Sequence, residues 1–485
     1  MAQFGLAHLN GVQEVGGSNP PAPTNQGYSI LLFDSSGYNF IVEGWVNLQY
    51  ILIKEGLMRR VGIGLIGFGT IGSGVVKILK ERGRELSEKV GCDLRIKRIV
   101  DKDITSARCV KVDRRLLSTN VDGLLTDPEI DVVIELIGGI HPAKEFVSRA
   151  LKEGKDVITA NKALLAEKGE ELFKIASEQG REILFEASVC GGIPILKILK
   201  EGLCANRIES LLGIVNGTTN YILTQMEEEG CEIEKALEKA KKEGIAEADA
   251  SLDIQGIDSQ HKICLLSSLI FGNYLRLENI FCEGIERIRV KDLEYARDFG
   301  YAIKLLGIVR RFSEKEIGVY VYPALIPQTQ LLSKVRGAFN ALSIKGDVVG
   351  ELFFYGKGAG MFPTASAVVA DLLDIVSRRS KGKREDIRRG SKEKICLRKI
   401  EDLEKSYYIR FLAVDQPGVL AAIARCLGEQ KVSIASVIQK EREESKVVPI
   451  VMMTHYARER DVQRALKEID RLPVVKERLA IRIEE

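Results

Sequence analysis

A glycine-rich turn between a short apolar segment and a long helical pattern restricts the fold of this chain most. The segment reads VGIGLIGFGTIGSGVVKILKERG from Val61, and its G-x-G-x-x-G motif follows a strand pattern and opens a helix pattern. In that context the glycines allow a tight turn, close approach of a pyrophosphate and packing of the helix on the strand. A turn without a ligand is the alternative, which the flanking patterns disfavour. The candidate cofactor-binding residues of the turn are Gly67, Phe68, Gly69, Thr70, Ile71 and Gly72.

The choice between NAD and NADP stays open at the end of the next strand pattern, LRIKRIVDKD. Asp101 at its end would bind a ribose 2′-hydroxyl and favour NAD. Lys102 and Arg108 lie close enough in sequence to hold a 2′-phosphate and favour NADP instead. The expected cofactor is therefore NADP or NAD, with Asp101 among its candidate ligands.

Two further strand patterns alternate with helix patterns. DVVIELIGG ends in glycines that include Gly138, and KDVITANKALL runs from a strand into Lys162 at a helix start. This alternation predicts an α/β fold with a Rossmann-type, doubly wound parallel sheet that binds ligands at the carboxyl ends of its strands. Gly138 and Lys162 fall at those ends. A lysine at a helix N-terminus is opposed by the helix dipole, which favours a functional role for Lys162.

Composition argues against several classes of function. The 485 residues hold 71 basic and 68 acidic side chains, a net charge of +3, so a nucleic-acid partner is not expected. A membrane span needs ~18 consecutive apolar residues. The nearest segment, FIVEGWVNLQYILI, is interrupted by Glu43 and Asn47, so no membrane partner is expected either. Nine cysteines without a C-x-x-C pair argue against zinc and disulfides and predict a reducing, cytoplasmic location.

Residues 1–57 differ from the rest of the chain. The string GGSNPPAPTNQG is rich in glycine, proline and asparagine and has no hydrophobic periodicity. We expect an unstructured extension here, and translation to start at Met58, directly before the glycine-rich turn. A targeting arm is the functional alternative.

A second polar cluster, GIAEADASLDIQGIDSQHK (244–262), is rich in carboxylates and ends on a lysine. Asp258 and Lys262 are spaced i, i+4 on the helix predicted for GIDSQHKICLLSSLI, so they share one face. A surface ion pair is the simpler interpretation, but the other residues of this helix are mostly apolar and indicate burial. A lysine held beside a carboxylate can donate a proton to a developing alkoxide if desolvation brings its pKa toward the operating pH.

These motifs together resemble those of the homoserine dehydrogenase family, in order and in spacing. They are GFGTIGSG, ELIGG, TANKALLA, FEASVCGGIPIL, GIVNGTTNYILTQM, GIAEADASLDIQGIDSQHK and YGKGAGMFPTASAVVADL. The resemblance covers residues 60 to 380 and implies the reversible, NAD(P)-dependent reduction of L-aspartate 4-semialdehyde to L-homoserine. That reaction belongs to threonine, methionine and isoleucine biosynthesis.

The resemblance also implies roles for individual residues. Lys262 matches the proton donor, and Glu247 and Asp258 match substrate-binding carboxylates. Lys162 matches a lysine that contacts both cofactor and substrate. Apart from the resemblance, Glu247 and Asp253 add negative charge that suits the ammonium group of an amino-acid substrate. The glycines that match residues near the nicotinamide nucleotide are Gly244 and Gly358.

The segment FEASVCGGIPIL matches a loop that in the family binds a monovalent cation, Na⁺ or K⁺, chiefly through backbone oxygens. From its residues alone the segment is a glycine-rich turn. By position the implied cation ligands are Glu186, Val189, Gly191 and Ile193.

Cys190 within this loop suggests a rival function. A phosphorylating semialdehyde dehydrogenase needs a cysteine nucleophile and a partner base. The chain has four histidines, of which His261 lies in the carboxylate-rich stretch. A small residue in a turn is the simpler interpretation of Cys190.

The C-terminal part has its own pattern. Residues 381–402 are dense in charge and predict a solvated linker. Residues 403–485 follow a β-α-β-β-α-β order, which is typical of ferredoxin-like folds. VDQPGVLAAIA resembles the ACT regulatory module, whose strand-to-helix loop binds amino acids, so threonine is the implied effector. The residues of that loop are Asp415, Gln416, Pro417, Gly418, Val419 and Leu420.

Two alternatives concern this C-terminal module. It could be a dimerisation domain without a ligand, or the chain could be an amino-acid sensor on an inactive dehydrogenase scaffold. The intact glycine motif with Lys162, Asp258 and Lys262 argues against an inactive scaffold. We expect a homo-oligomer, either a dimer or a tetramer. The predicted domains are NAD(P)-binding (58–187, completed by 358–380), catalytic and dimerisation (188–357), and ACT (403–485).

Overall fold

The computed structural model describes residues 30–33, 39–42, 58–380, 395–440 and 446–485. The predicted start at Met58 and most of the predicted extension, 1–57, concern residues outside these ranges, as do residues 381–394 of the predicted linker. Within 1–57, strands β1 (Ile30–Phe33) and β2 (Asn39–Val42) pair in antiparallel fashion. For the residues outside the described ranges, both the extension and the linker stay predictions.

Six strands alternate with helices in the N-terminal half and build one parallel sheet. The strands are β3 (Arg60–Ile66), β4 (Asp93–Val100), β5 (Leu117–Ser118), β6 (Val132–Glu135), β7 (Asp156–Thr159) and β8 (Ile183–Leu184). The helices are α1 (Thr70–Val90), α2 (Val121–Leu125), α3 (Ala143–Lys152) and α4 (Lys162–Glu178). The strand order is β5-β4-β3-β6-β7-β8, and every neighbouring pair is parallel.

Helices cover both faces of this sheet. Ile134 of β6 belongs to a core shared with α1 and with the later helix Met361–Ser380, whereas Val133 points into a core shared with α3 and α4. Successive strand residues point to opposite faces, so the sheet is doubly wound. Helix α1 packs closely on the later helix because Gly74 lacks a side chain: a Cβ there would lie 2.9 Å from Met361 Cγ. The predicted Rossmann-type sheet is confirmed.

A second sheet follows in the chain. Its strands are β9 (Ile208–Ile214), β10 (Phe281–Cys282), β11 (Tyr301–Arg311), β12 (Glu316–Pro327), β13 (Phe339–Gly346) and β14 (Gly350–Lys357). The associated helices are α5 (Ile195–Lys197), α6 (Gly217–Glu229), α7 (Ile233–Lys242), α8 (Ser251–Ile254), α9 (Ile257–Phe271), α10 (Val290–Asp298) and α11 (Met361–Ser380). The order β14-β13-β9-β11-β12 is antiparallel throughout, and β10 joins the outer side of β12.

Helix α9 lies directly on this sheet. A Cβ at Gly307 of β11 would lie 3.1 Å from Ile263 Cδ1, so the glycine permits the close approach of the helix. Most residues of α9 between Asp258 and Ser267 are buried. The polar pair at the start of α9 is therefore held in the interior rather than on a solvated surface.

The C-terminal residues form the predicted β-α-β-β-α-β unit. Its elements are β17 (Tyr407–Val414), α12 (Val419–Glu429), β18 (Ile434–Ile438), β19 (Val447–Thr454), α13 (Glu459–Ile469) and β21 (Val475–Ile483), accompanied by the short strands β15 (Cys396–Leu397), β16 (Glu404–Lys405) and β20 (Ala457–Arg458). The strand order β21-β17-β19-β18 is antiparallel. Single helical turns lie at Arg114–Leu116, Glu186–Ser188, Ile198–Gly202, Leu277–Asn279, Leu331–Lys334 and Ile400–Asp402.

The C-terminal unit continues the second sheet. Strand β21 pairs in parallel with β12, where Ala324 and Leu325 face Arg482 and Ile483. Strand β15, inside the predicted linker, also pairs with β12, so ordered structure begins before residue 403. The sequence did not predict this junction. Among the residues that the structure describes, no helix combines the length and apolarity needed to cross a bilayer.

Buried charges cross the same junction. Arg410 of β17 donates to Asp292 of α10 over 2.7 Å, and both side chains are essentially inaccessible. Arg482 of β21 bonds Glu459 at 2.7 Å and Glu283, beside β10, at 2.8 Å. Removing one partner of such a buried pair is strongly destabilising, so these contacts fix the C-terminal unit against the second sheet.

Candidate active site

The glycine-rich turn has the geometry of a phosphate cradle. Gly67 has φ +101° and donates its N–H to the carbonyl of Val100 over 2.8 Å. A Cβ at Gly72 would lie 2.1 Å from the Gly67 carbonyl oxygen, whereas a Cβ at Gly69 would meet open space. Helix α1 begins after Gly69 without a side-chain cap and without an acidic residue in its first turn. Its N-terminus therefore fits the pyrophosphate of a dinucleotide.

Asp101 lies at the end of β4, beside the turn, as predicted. Its Oδ2 accepts the N–H of Phe68, and its Oδ1 accepts the N–H of Asp103. Arg108 lies 3.9 Å from Asp101 and within cation–π distance of the Phe68 ring. Asp101 therefore holds the shape of the turn, and Arg108 brings positive charge to the same rim.

The next two strand ends contribute a buried polar network. Glu135 at the end of β6 accepts the Thr159 hydroxyl at 2.6 Å and the N–H of Ile137 at 2.8 Å. Asn161 caps α4 through the N–H of Leu164 and donates to the carbonyl of Gly139. Burial raises the pKa of Glu135 despite these hydrogen bonds. The network fixes the start of α4, whose first residue is Lys162. Gly138, in the loop that Asn161 contacts, is exposed and has φ +69°.

Three charged side chains meet at Asp258. Lys262 Nζ donates to Asp258 Oδ2 over 2.7 Å, and Lys162 Nζ lies 3.0 Å from Asp258 Oδ1. Lys162 begins α4, a helix of the first sheet, and Lys262 lies on α9, which packs on the second sheet, so the site lies between the two sheets. Burial opposes ionisation of Asp258, but the charges of Lys262 and Lys162 outweigh it and lower its pKa. The attraction of Asp258 raises the pKa of Lys162, with smaller contributions from Asp253 and Glu247.

The segment after β9 and strand β13 supply neutral partners that the sequence did not reveal. Lys262 Nζ also donates to the Val215 carbonyl, over 2.6 Å. Asn340 donates to the same carbonyl over 3.1 Å, and its buried Oδ1 has no hydrogen-bond partner in the described part of the chain. Asn216 donates to Asp253 at 2.6 Å and to Asp258 at 2.7 Å. Asparagines are common turn and capping residues, so only their three-dimensional neighbours reveal this role.

The remaining predicted residues lie around this centre. Glu247 is exposed in the loop after α7, and Asp253 is half-buried on α8. Gly244 ends α7 with φ +71° and open space around its Cβ position. Gly358 follows β14, and a Cβ there would lie 2.2 Å from Asn340 Cγ, so only glycine fits against this amide.

The predicted cation loop is buried and tightly turned. Cys190 and Gly191 have φ of +54° and +42°, and a Cβ at Gly191 would lie 2.5 Å from the Gly358 carbonyl oxygen. The Glu186 carboxylate accepts the N–H groups of Leu196 and Lys197, both at 2.8 Å, and so caps the helix that follows. The side chain of Glu186 is therefore engaged by the protein, whereas Val189 and Ile193 are buried within the loop.

A second buried carboxyl lies under this loop. Asp371 of α11 accepts the N–H of Glu186 over 2.9 Å. Burial, with the nearby charge of Glu186, raises the pKa of Asp371 to about 8. Burial also raises the pKa of the Cys190 thiol to about 11, so the thiol is protonated and unsuited to act as a nucleophile.

The C-terminal loop has one feature that suits a ligand. Asp415 follows β17, accepts Gln439 at 3.2 Å through Oδ1, and has a buried Oδ2 without a hydrogen-bond partner in the described residues. Gly418 adopts φ +89° at the start of α12, while Gln416, Pro417 and Leu420 are exposed and Val419 is buried. The loop therefore combines an anionic acceptor with an accessible rim.

A dinucleotide cradle facing a buried lysine–carboxylate cluster defines the class of protein: a nicotinamide-dependent oxidoreductase. Known proteins specify it further. Profiles of the homoserine dehydrogenase NAD-binding domain, homoserine dehydrogenase and the ACT domain match residues 67–186, 194–373 and 407–474. The homoserine dehydrogenase of Neisseria gonorrhoeae is 40% identical over 423 residues, which are 86% of this chain and 97% of that protein. That of Pseudomonas aeruginosa is 40% identical, with 87% and 99% covered.

Solved structures agree. The crystal structure of a homoserine dehydrogenase from Thiobacillus denitrificans matches with a TM-score of 0.79 and 40% identity, covering 88% of this chain and 99% of that one. The Staphylococcus aureus enzyme matches with a TM-score of 0.70 at 30% identity, with the same coverage. The chain belongs to the homoserine dehydrogenase family, as its motifs predicted. It is an NAD(P)-dependent oxidoreductase that acts on a CH–OH group, with a C-terminal ACT domain.

Proposed function

We propose that Lys262 transfers the proton in the interconversion of homoserine and aspartate 4-semialdehyde. The bound nicotinamide supplies or accepts the hydride. Lys262 has two acceptors within the described residues, the Val215 carbonyl and Asp258, so one of its three ammonium protons remains for the substrate oxygen. In semialdehyde reduction Lys262 donates that proton, and in homoserine oxidation the neutral amine accepts it. The buried, doubly anchored Nζ is the observation that carries this assignment.

Substrate recognition follows from the surrounding carboxylates. Asp253 and Asp258 are bridged by one amide and lie beside Lys162, and Glu247 lies on the exposed side of the site. We assign Asp258, Asp253 and Glu247 to the substrate ammonium group, and Lys162 to the substrate and the nicotinamide side of the cofactor. Phe68 to Gly72 hold the pyrophosphate, and Gly138, Gly244 and Gly358 line the path of the dinucleotide.

NADP is the proposed preferred cofactor. Both oxygens of Asp101 accept backbone N–H groups, so its carboxylate is engaged in shaping the turn. Arg108 lies on the same rim, and its buried Nε has no hydrogen-bond partner in the described part of the chain. A planar guanidinium suits a 2′-phosphate. Homoserine oxidation assayed with NADP and with NAD, each with and without threonine, tests cofactor, substrate and effector together.

A monovalent cation is proposed for the buried loop of Glu186, Val189, Gly191 and Ile193. Its ligands would be main-chain oxygens, since the Glu186 carboxylate caps a helix. Two consecutive residues with positive φ and the buried negative charge of Glu186 support this assignment. Activity in Na⁺, K⁺ and tetramethylammonium buffers of equal ionic strength tests it.

Threonine is the proposed effector of the ACT domain. The unpartnered Oδ2 of Asp415 offers an acceptor for an ammonium group, and the loop to Leu420 offers main-chain groups for a carboxylate.

A homo-oligomer is proposed as well, because β14 is the edge strand of the second sheet and Tyr355 on it and Val348 just before it are exposed. A cytoplasmic location is supported by nine free thiols.

A further inference from the structure

One amide connects the two carboxylates of the site. Both hydrogens of the Asn216 side-chain amide are used: Nδ2 donates to Asp253 Oδ1 over 2.6 Å and to Asp258 Oδ2 over 2.7 Å. The other end of the amide is used too, because Oδ1 accepts the N–H of Thr219 over 2.8 Å and so caps α6. Asn216 is 4% exposed, and both polar atoms of its side chain have protein partners.

The cap fixes which way the amide points. If the group were reversed, its oxygen would face two carboxylate oxygens and its hydrogens would face the N–H of Thr219. Because Asn216 Oδ1 caps α6, the NH₂ group of the same amide must point toward the carboxylates of Asp253 and Asp258. Of the residues that can cap a helix, serine and aspartate would supply the acceptor but not the two donors.

Asn216 also shares an acceptor with the catalytic lysine. Asp258 Oδ2 accepts both Asn216 Nδ2 and Lys262 Nζ, and the Val215 carbonyl, one bond before Asn216, accepts Lys262 as well. The position of Lys262 Nζ thus depends on Asp258 and on the peptide group that joins Val215 to Asn216. Any movement of Asn216 changes both anchors of Nζ together.

We propose that Asn216 is a positioning residue that holds Asp253 and Asp258 together in their ionised forms, and so builds the anionic pocket for the substrate ammonium group beside Lys262. This inference rests on the proposed roles of Asp258, Asp253 and Lys262. The two carboxylates repel each other, and Lys162 and Lys262 offset that repulsion mainly at Asp258. Asp253 has Asn216 as its direct donor, so it depends on the amide most.

Titratable groups on several elements surround the pair. Lys162, Lys262, Glu247 and His261 face it from α4, α9 and the loop before α8. Burial raises the pKa of Asp253, and the hydrogen bond from Asn216 opposes that rise. Loss of the donor therefore raises the pKa of Asp253 further.

The decisive variant is Asn216→Ser, which keeps an acceptor for the cap but cannot bridge two carboxylates. We expect KM for homoserine to rise at least tenfold, and the acid limb of kcat/KM to move up by about one pH unit. The Kd for NADPH, measured by fluorescence, should stay within twofold. Asn216→Asp, which keeps the reach and the cap but adds a third acid, should lose still more activity at pH 8 and regain part of it at pH 6, where the added carboxyl can carry a proton.

A matched control separates positioning from capping. Asn120 caps α2 in the same way, through the N–H of Gly123, at an exposed place remote from the carboxylates. Asn120→Ser should lower Tm slightly and leave KM and the pH profile as in the wild type. If Asn216→Ser lowered Tm but left KM and the acid limb of kcat/KM unchanged, Asn216 would act only as a helix cap, and the proposal would be overturned. A near-normal kcat in Lys262→Ala would instead contradict the proposed role of Lys262, on which the proposal for Asn216 rests.

Discussion

Lys262 and Asp258 lie one turn apart on α9, and the lysine ammonium spans 2.7 Å to the carboxylate on one side and 2.6 Å to the Val215 carbonyl on the other. Both residues are more than nine-tenths buried. An ion pair on the surface would contribute little, but here two fixed acceptors orient a single remaining proton. The geometry therefore separates this pair from the many other i, i+4 pairs of the chain.

Replacing Lys262 by alanine should reduce kcat by a factor of about 100 to 10,000, the range expected for loss of a general acid or base. The Kd for NADPH should change by less than twofold. Lys304 is a suitable comparison because it too is buried, and its Nζ donates to Asn220 Oδ1 and the Val335 carbonyl rather than to the carboxylates of the site. Lys304→Met should lower stability yet retain kcat per folded enzyme, and equal loss of kcat in both variants would contradict the assignment.

Replacing Arg108 by alanine should lower kcat/KM for NADP by about tenfold or more, since hydrogen bonds to charged groups contribute about 1.5–3 kcal/mol. kcat/KM for NAD should be nearly unchanged, because NAD carries no 2′-phosphate. Arg115, which is exposed and pairs with Asp113 nearby, gives a matched control. Steady-state kinetics with both cofactors measures the effect, and parallel losses for NAD and NADP would refute the proposed phosphate contact.

Asp371 should make the protein less stable as pH rises. The pKa of a free aspartate is about 3.9, whereas burial raises that of Asp371 to about 8. Its stabilising contribution is complete below pH 4 and is lost as pH rises toward 8, because the unfolded chain ionises while the folded chain keeps the proton. Asp371→Asn keeps the acceptor for Glu186 and stays neutral, so its stability profile should be flatter, by up to about 1.4 kcal/mol per pH unit.

Urea denaturation at pH 5, 6, 7 and 8 measures this difference between the wild type and Asp371→Asn. Between pH 5 and pH 8 the free energy of unfolding of the wild type should fall relative to that of Asp371→Asn. Parallel profiles would show that Asp371 is ionised in the folded protein, contrary to its burial under the loop of Glu186.

Asp415→Asn should remove most of the stabilisation of the protein by threonine. A ligand that binds only the folded state raises Tm as its concentration passes Kd, so threonine should raise the Tm of the wild type. The variant replaces an anionic acceptor by a neutral amide and should lose most of this shift. The shift caused by NADPH serves as an internal control, and a full threonine shift in Asp415→Asn would place the effector elsewhere.

The sequence predicted those parts of the fold and site that rest on local patterns. The glycine turn, the alternation of strands and helices, and the i, i+4 spacing of Asp258 and Lys262 are all readable along the chain. Asn216 was missed because its carboxylate partners follow 37 and 42 residues later. Glu135 and Asn340 were missed for the same reason, since a buried polar residue shows its role only through tertiary neighbours. Asp101 was predicted to contact ribose, and its contact with the Phe68 N–H depends on a turn whose backbone geometry the sequence leaves unspecified.

The shared sheet of β12 and β21 has a practical consequence for dissecting regulation. Truncation after residue 402 would leave the backbone of Ala324 and Leu325 as an open strand edge, a template for intermolecular pairing. It would also leave the carboxylates of Asp292 and Glu283 without Arg410 and Arg482, the arginines that pair with them. Assays of a shortened enzyme would thus combine the effects of aggregation and of unpaired buried carboxylates with any loss of the threonine response. Point substitutions in the Asp415 loop test regulation more selectively, because they leave the pairing of β12 with β21 between the two domains intact.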